Sequence, residues 1–78
     1  MLENGVRVYY LVGGVLCFGN VIDVEVKGKK QTFSIDSYGG CEGQYVIDMD
    51  QLHQSVFLSL EEAQAAMDRG ELGFSANC

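Results

Sequence analysis

The chain has 78 residues, a mass of 8.5 kDa and a formal net charge of −6. This length provides for one hydrophobic core and excludes a second, so residues 1–78 are expected to form a single domain. Hydrophobic residues make up 47% of the chain and charged residues 21%, which excludes a disordered acidic tail. No apolar run approaches the roughly 20 residues that a membrane-spanning helix needs, so no membrane partner is expected.

The N-terminal residues indicate a cytoplasmic location, which in turn bears on the state of the cysteines. Residues 1–5 lack the basic start and the apolar run of a signal peptide. The cysteines, Cys17, Cys41 and Cys78, form no CxxC pair, and in a chain without an export signal we expect reduced thiols. This spacing predicts neither a zinc site nor redox chemistry.

Acidic residues are concentrated in the second half of the chain. Residues 41–78 contain seven acidic residues and one basic residue, whereas residues 1–40 contain four of each. Because a phosphate backbone is repelled by such a surface, the charge distribution argues against direct binding of nucleic acid.

Alternating apolar residues predict two strands in the first third of the chain. The first, 6–11, is apolar on both faces, which is typical of a central strand. The second, 16–27, contains Gly19 and Asn20 at its middle, where we expect a bulge or a sharp bend. The residues assigned to the core-facing side of this strand are Leu16, Phe18, Ile22, Val24 and Val26.

A tight turn at Gly28 then predicts a hairpin. It returns the chain through a third strand, 31–38, with Phe33 and Ile35 pointing inward. The stretch 39–43 contains three glycines and is expected to be a flexible loop.

The remaining predicted elements are two short strands and a helix. Residues 44–49 form a fourth strand, residues 50–53 a single helical turn, and residues 56–58 a fifth strand. Ser59 and Glu62 have the spacing of a capping box, which predicts a helix at about 60–69. Its predicted apolar stripe consists of Leu60, Ala63 and Met67.

These elements predict a mainly β domain, a five-stranded antiparallel barrel of the SH3-like type with one C-terminal helix. The phrases Val6-Arg7-Val8-Tyr9-Tyr10 and Val56-Phe57-Leu58-Ser59-Leu60-Glu61-Glu62-Ala63 resemble those of small SH3-like barrel proteins encoded by bacteria, phages and mobile elements. The resemblance covers most of the chain. Its motifs are structural, so it implies a fold and no activity.

One cluster of side chains has the chemistry of metal ligands. Asp48, Asp50 and His53 could converge at the end of a strand, but alternation places Asp48 on the outer face, and Asp50 is suited to cap the following turn. His53 also has no sequence relationship to Cys17 or Cys41 that would indicate a nucleophile and its base. We therefore expect no metal, no cofactor and no catalytic residues.

Four residues are candidates for partner binding. Tyr9 and Tyr38 are predicted to form an exposed aromatic patch, with peripheral core packing as the alternative interpretation. Glu61 and Glu62 are predicted to present an acidic surface at the helix start.

These expectations favour a non-enzymatic protein-interaction module, an accessory protein of a mobile genetic element that binds a protein partner. An alternative is an acidic decoy that inhibits a nucleic-acid-binding protein, motivated by the charge of residues 41–78. A second alternative is a small oligomeric enzyme or ligand-binding protein. A homodimer is also a hypothesis, because small barrels with open edges self-associate.

Overall fold

A computed structural model of the chain describes residues 2–75. Its strands are Arg7–Val12 (β1), Val15–Lys27 (β2), Lys30–Ile35 (β3), Gly39–Gly40 (β4), Gly43–Gln44 (β5), Ile47–Asp48 (β6) and Val56–Phe57 (β7). A 3-10 turn, Met49–Gln51, lies between β6 and β7, and a helix, Leu60–Asp68 (α1), follows β7. Within residues 2–75, no helix has both the length and the hydropathy that crossing a membrane requires.

Five strands form one antiparallel sheet in the order β6-β3-β2-β1-β7. The long strand β2 pairs with β1 through residues 15–20 and with β3 through residues 21–27, so it belongs to both halves of the sheet. The sheet curls into a half-barrel, and α1 follows at its C-terminal end. The predicted fold, a mainly β, SH3-like small barrel with one C-terminal helix, is confirmed.

The sheet is covered on both faces near β1. Inside the half-barrel lies a core of buried side chains: Leu2, Val8, Tyr10, Val21, Phe33, Ile35, Ile47 and Val56. A second buried cluster lies between the sheet and α1 and consists of Leu11, Phe57, Ala63 and Ala66. Both apolar faces of β1 are therefore buried, as predicted for a central strand.

The predicted core-facing side of β2 is wrong in the half that pairs with β1, and Val26 near the other end is 62% exposed. Cys17 and Gly19 lie opposite Tyr10 and Val8 of the inner core, so the odd-numbered residues face inward in this half of the strand. Phe18 consequently points to the opposite face and is 60% exposed. The even-numbered residues were assigned to the core because Leu16 and Phe18 are more apolar than the cysteine and glycine that alternate with them.

The irregularity in β2 lies later than predicted. The register with β3 shifts between Ile22 and Glu25, and Asp23 has a positive φ of 54°. This bulge reverses the alternation, so Val24 packs against the inner core. Gly19 has a different role, because it is buried where β2 passes close to Ser37.

The predicted loop 39–43 forms a small hairpin, in which β4 pairs with β5. The third strand ends at Ile35, and both Phe33 and Ile35 are buried as predicted. The predicted strand 44–49 is shorter than expected, because only Ile47–Asp48 pairs with β3.

The helical turn before the last strand is confirmed as the 3-10 turn Met49–Gln51. Its cap is Asp48 rather than Asp50: the Asp48 side chain accepts a hydrogen bond from the Asp50 backbone amide at 3.2 Å. Helix α1 begins after Ser59 as predicted, and the Ser59 hydroxyl accepts from the Glu62 amide at 3.1 Å.

The predicted apolar stripe of α1 is confirmed at Ala63 and Met67 and wrong at Leu60. Ala63 and Ala66 are fully buried against the sheet, and Met67 is partly buried. Leu60 is instead 47% exposed. The small alanine side chains allow the helix to lie close to β1 and β7.

The segment after α1 packs back on its own barrel. The Phe74 amide donates to the Leu11 carbonyl at 2.8 Å, and the Gly13 amide donates to the Phe74 carbonyl at 2.8 Å. This segment therefore covers the edge of β1 beyond its short pairing with β7.

Candidate interaction surfaces

Tyr9 belongs to an aromatic row that crosses three strands. It lies opposite Phe57 of β7 on one side and opposite Phe18 of β2 on the other. Phe57 is buried under α1, Tyr9 is half-buried at the border of the same cluster, and Phe18 lies beyond it. The structure therefore places Tyr9 at the boundary between the covered and the open part of this sheet face.

Phe18 is the exposed aromatic ring of this row, and sequence reasoning missed it. The guanidinium carbon of Arg7 lies 5.0 Å from the centre of its ring, within the range of a cation–π contact. The Arg7 Nε atom also donates to Asn20 Oδ1 at 3.2 Å, which orients the guanidinium. Correct alternation on β2 would have identified Phe18, because Tyr9 and Phe18 occupy the same face.

Tyr38 lies in a cluster of aromatic rings at the other side of the barrel. Its ring centre lies 4.7 Å from that of Phe74, 4.9 Å from that of Tyr45 and 5.3 Å from that of Tyr10. Partial burial raises the pKa of the Tyr38 hydroxyl. Tyr38 is half-buried here and does not adjoin Tyr9 in a shared patch. Its surroundings match the alternative interpretation of peripheral core packing.

A polar network closes the barrel beneath these rings. The Tyr10 hydroxyl lies 2.8 Å from Ser37 Oγ, which donates to the Phe18 carbonyl at 2.8 Å. Burial raises the pKa of Tyr10 despite this hydrogen bond. Asp36 accepts from the Asn20 backbone amide at 2.9 Å and from its side chain at 3.2 Å. The backbone hydrogen bond is the main cause that lowers the pKa of Asp36.

Glu61 and Glu62 have different surroundings. Glu61 is exposed in the first turn of α1. The Glu62 carboxylate, predicted to reach back to Ser59, lies 2.6 Å from His53 Nδ1. This contact links the start of the helix to the segment before β7.

The suggested ligands Asp48, Asp50 and His53 have separate partners. Asp48 lies 3.5 Å from Lys30 Nζ, and its side chain caps the 3-10 turn. His53 contacts Glu62 instead. Among residues 2–75, no group of three or more His, Cys, Asp or Glu side chains is arranged to hold a metal ion.

Two of the three cysteines fall within the described residues. Cys17 has a free thiol and is half-buried on β2. Cys41 is disulfide-bonded, so the expected reduced thiol at this position is wrong. Cys78 lies outside the described residues.

The acidic residues of the second half differ in their side-chain partners. Three of the seven acidic residues between positions 41 and 78 have side-chain partners: Asp48 and Glu71 form ion pairs with Lys30 and Arg69, and Glu62 is hydrogen-bonded to His53. The remaining four are distributed over the β4–β5 turn, the 3-10 turn and α1: Glu42, Asp50, Glu61 and Asp68.

A groove opens at one end of the half-barrel. Its apolar part has a volume of about 370 Å³ and is lined by Leu2, Val6, Gln31, Met49, Leu52 and Leu58. A polar depression of about 470 Å³ shares Gln31 and Met49 with it and extends to the β2–β3 hairpin. The Gln31 Nε2 atom is buried and has no hydrogen-bond partner among the described residues.

Comparisons with known proteins gave no match to a family model, to a curated protein or to a solved structure.

Proposed function

We propose that this chain is a non-enzymatic protein-interaction module, an accessory protein of a mobile genetic element that binds a protein partner. The observation that carries the proposal is the exposed Phe18 ring with Arg7 stacked on it, beside the half-buried Tyr9. Aromatic residues and arginine contribute most of the binding energy at protein interfaces. The resemblance of its strand and helix-start phrases to mobile-element barrel proteins supports the accessory role.

The geometry of the Phe18 surface suits a small interface. Phe18 lies at the open side of a rigid sheet, and its neighbour Tyr9 is fixed by packing against the cluster beneath α1. Asn20 holds the Arg7 side chain in place. A partner that buries the Phe18 ring therefore meets a surface that needs little ordering, which lowers the entropic cost of binding.

The decoy function has less support from the structure. A decoy must present free carboxylates in an array that imitates phosphates, and binding through such an array weakens steeply with salt. Here three of the seven acidic residues of the second half already have side-chain partners, Asp48 and Glu71 in ion pairs and Glu62 in a hydrogen bond with His53. The Phe18 surface relies on ring burial, which salt does not weaken.

The test is capture of a partner from a lysate of the native host, with the wild-type chain and three variants as bait. We expect Phe18→Ser and Arg7→Glu to lose the protein that wild type retains at high salt. Val46→Ser replaces another exposed apolar side chain, 71% exposed and outside the Phe18 surface, and should retain it. Equal capture by all baits, or a nucleic-acid-binding partner released by salt, would contradict the proposal.

Sedimentation of the free chain distinguishes a separate partner from a second copy. A homodimer formed through Phe18 should dissociate on dilution and should be absent in Phe18→Ser. A mass that is the same in both proteins at every concentration removes the homodimer hypothesis for this surface.

A further inference from the structure

We propose that the groove at the end of the half-barrel binds an extended peptide segment carrying a large aliphatic side chain and a nearby carboxylate. The inference rests on the proposed function, because it concerns a second contact with a protein partner. It involves a different surface, with residues from the 3-10 turn, the β2–β3 hairpin and the start of the chain.

The apolar part of the groove supplies the aliphatic subsite. Leu58 is 44% exposed at its rim, while Met49 and Leu52 are half-buried and continuous with the inner core. A volume of about 370 Å³ is at the lower end of the range for ligand pockets. One leucine-sized or methionine-sized side chain with its flanking backbone fits such a space.

The neighbouring depression supplies the charge. Three of the five basic residues of the chain, Lys27, Lys29 and Lys30, line it, although the chain has a net charge of −6. Lys30 is paired with Asp48, whereas Lys27 and Lys29 have no ion-pair partner in the described part of the chain. Asp48 and Asp50 also line this end, so its net charge is +1. This net charge is complementary to a single carboxylate of a ligand but is too small to favour a polyanion.

Gln31 lies where the two parts of the groove meet. Its amide nitrogen exposes less than 1 Å² and has no hydrogen-bond partner among the described residues, which is unfavourable for a buried donor. The terminal torsion of a glutamine side chain is soft, so a small rotation turns the amide toward the groove. A backbone carbonyl of a bound peptide would accept this hydrogen bond.

The test titrates a synthetic peptide into the isotope-labelled full chain and follows backbone and side-chain amides by NMR. The probe is an acetylated, amidated nonapeptide with a central Leu-Leu-Glu and Gly/Ser flanks. We expect saturable shifts at Gln31, Met49 and Lys29, which map the groove. Matched peptides with both leucines changed to serine, or the glutamate to lysine, should bind at least about fivefold more weakly.

Variants separate binding from folding. Leu58→Ser and Lys29→Glu alter exposed side chains and should weaken the peptide about five- to tenfold. Gln31→Met should weaken it about tenfold without lowering the urea midpoint, because it removes an unpartnered amide. Val46→Ser should bind like wild type. A Gln31→Met variant that binds normally would show that the orphan amide has no ligand.

Three further outcomes overturn the proposal. They are the absence of groove shifts at millimolar peptide, equal affinity for all three peptides, and groove shifts that depend on the concentration of the chain alone, which would identify a second copy as the occupant. Failure of this titration leaves the Phe18 test untouched, since a partner captured through Phe18 does not need the groove. Loss of Phe18-dependent capture likewise leaves the peptide titration interpretable.

Discussion

Gly19 occupies a crowded backbone position of β2. A Cβ atom at this position would lie 2.3 Å from Ser37 Oγ and 2.7 Å from Ile35 Cγ2. Both neighbours are held in place, Ile35 by the core and Ser37 by hydrogen bonds to Tyr10 and Phe18. The network beneath the aromatic cluster therefore depends on the absence of a side chain at Gly19.

Gly19→Ala should destabilise the fold by at least about 2 kcal/mol, because a packed core does not yield to an added methyl group. Urea unfolding followed by far-UV circular dichroism measures the change. Gly28→Ala is the control: its φ is +64°, but nothing lies within 4 Å of the added Cβ. It should cost only about 1 kcal/mol of backbone strain. An equal loss of stability in the two variants would show that the residues around Gly19 move to accommodate the added methyl group.

Asp36 should make stability depend on pH. Its pKa is lowered in the folded protein from the ordinary 3.8, chiefly by the Asn20 backbone hydrogen bond. The stabilisation is therefore present above about pH 4 and is lost as the pH falls through the lowered pKa. Between about pH 5 and pH 2, the urea midpoint of unfolding should therefore fall further in the wild-type protein than in Asp36→Asn. Parallel losses in both proteins would assign the acid sensitivity to other carboxylates.

At the scale of elements, local signals predicted most of the fold. The Ser59 cap fixes the start of α1, and the turn at Gly28 fixes the β2–β3 hairpin, because both depend on neighbouring residues. The faces of β2 could not be predicted, since α1 covers its outer side and makes Leu16 as suitable there as in a core. The bulge at Asp23 was missed for a related reason: pairing with β3 determines it.

The candidate surfaces were predicted less well than the elements. Tyr9 was correctly assigned to the outer face of β1, but Phe18 beside it was placed in the core because of the wrong alternation on β2. The groove around Gln31 brings together residues 2, 31, 49 and 58, which are distant in sequence. No local sequence pattern could identify these residues as neighbours, because they meet only when the half-barrel forms.

Helix α1 should tolerate bulk on one side only. Ala66 is fully buried against the sheet, whereas Ala65 is exposed on the next position of the same helix. Ala66→Leu should destabilise the protein by about 1–3 kcal/mol, because the larger side chain pushes the helix away from β1. Ala65→Leu has the same helix propensity change and should stay within about 0.5 kcal/mol of wild type. Thermal unfolding of both variants makes the comparison, and a destabilised Ala65→Leu would contradict this docking.

At the scale of the whole molecule, charge opposes compactness. Eleven acidic residues face five basic ones, and only some are paired. Moderate salt screens the repulsion among the others, so the urea midpoint should rise between about 10 mM and 200 mM sodium chloride. The triple variant Glu42→Gln, Asp50→Asn, Asp68→Asn, which removes three unpaired charges, should show a smaller rise. A midpoint that falls with salt in wild type would mean that the ion pairs outweigh the repulsion.

The shared strand β2 and the distant pairing of β1 with β7 together set an order of assembly. Both hairpins built on β2 join residues that are close in sequence, so their loop-closure cost is low. The Tyr9–Phe57 pairing closes a loop that contains most of the chain, and α1 docks only on the sheet that this pairing completes. The three-stranded meander should therefore form in the folding transition state, with β7 and α1 added afterwards. Mutations near Phe57 and Ala66 would then accelerate unfolding and leave the folding rate almost unchanged.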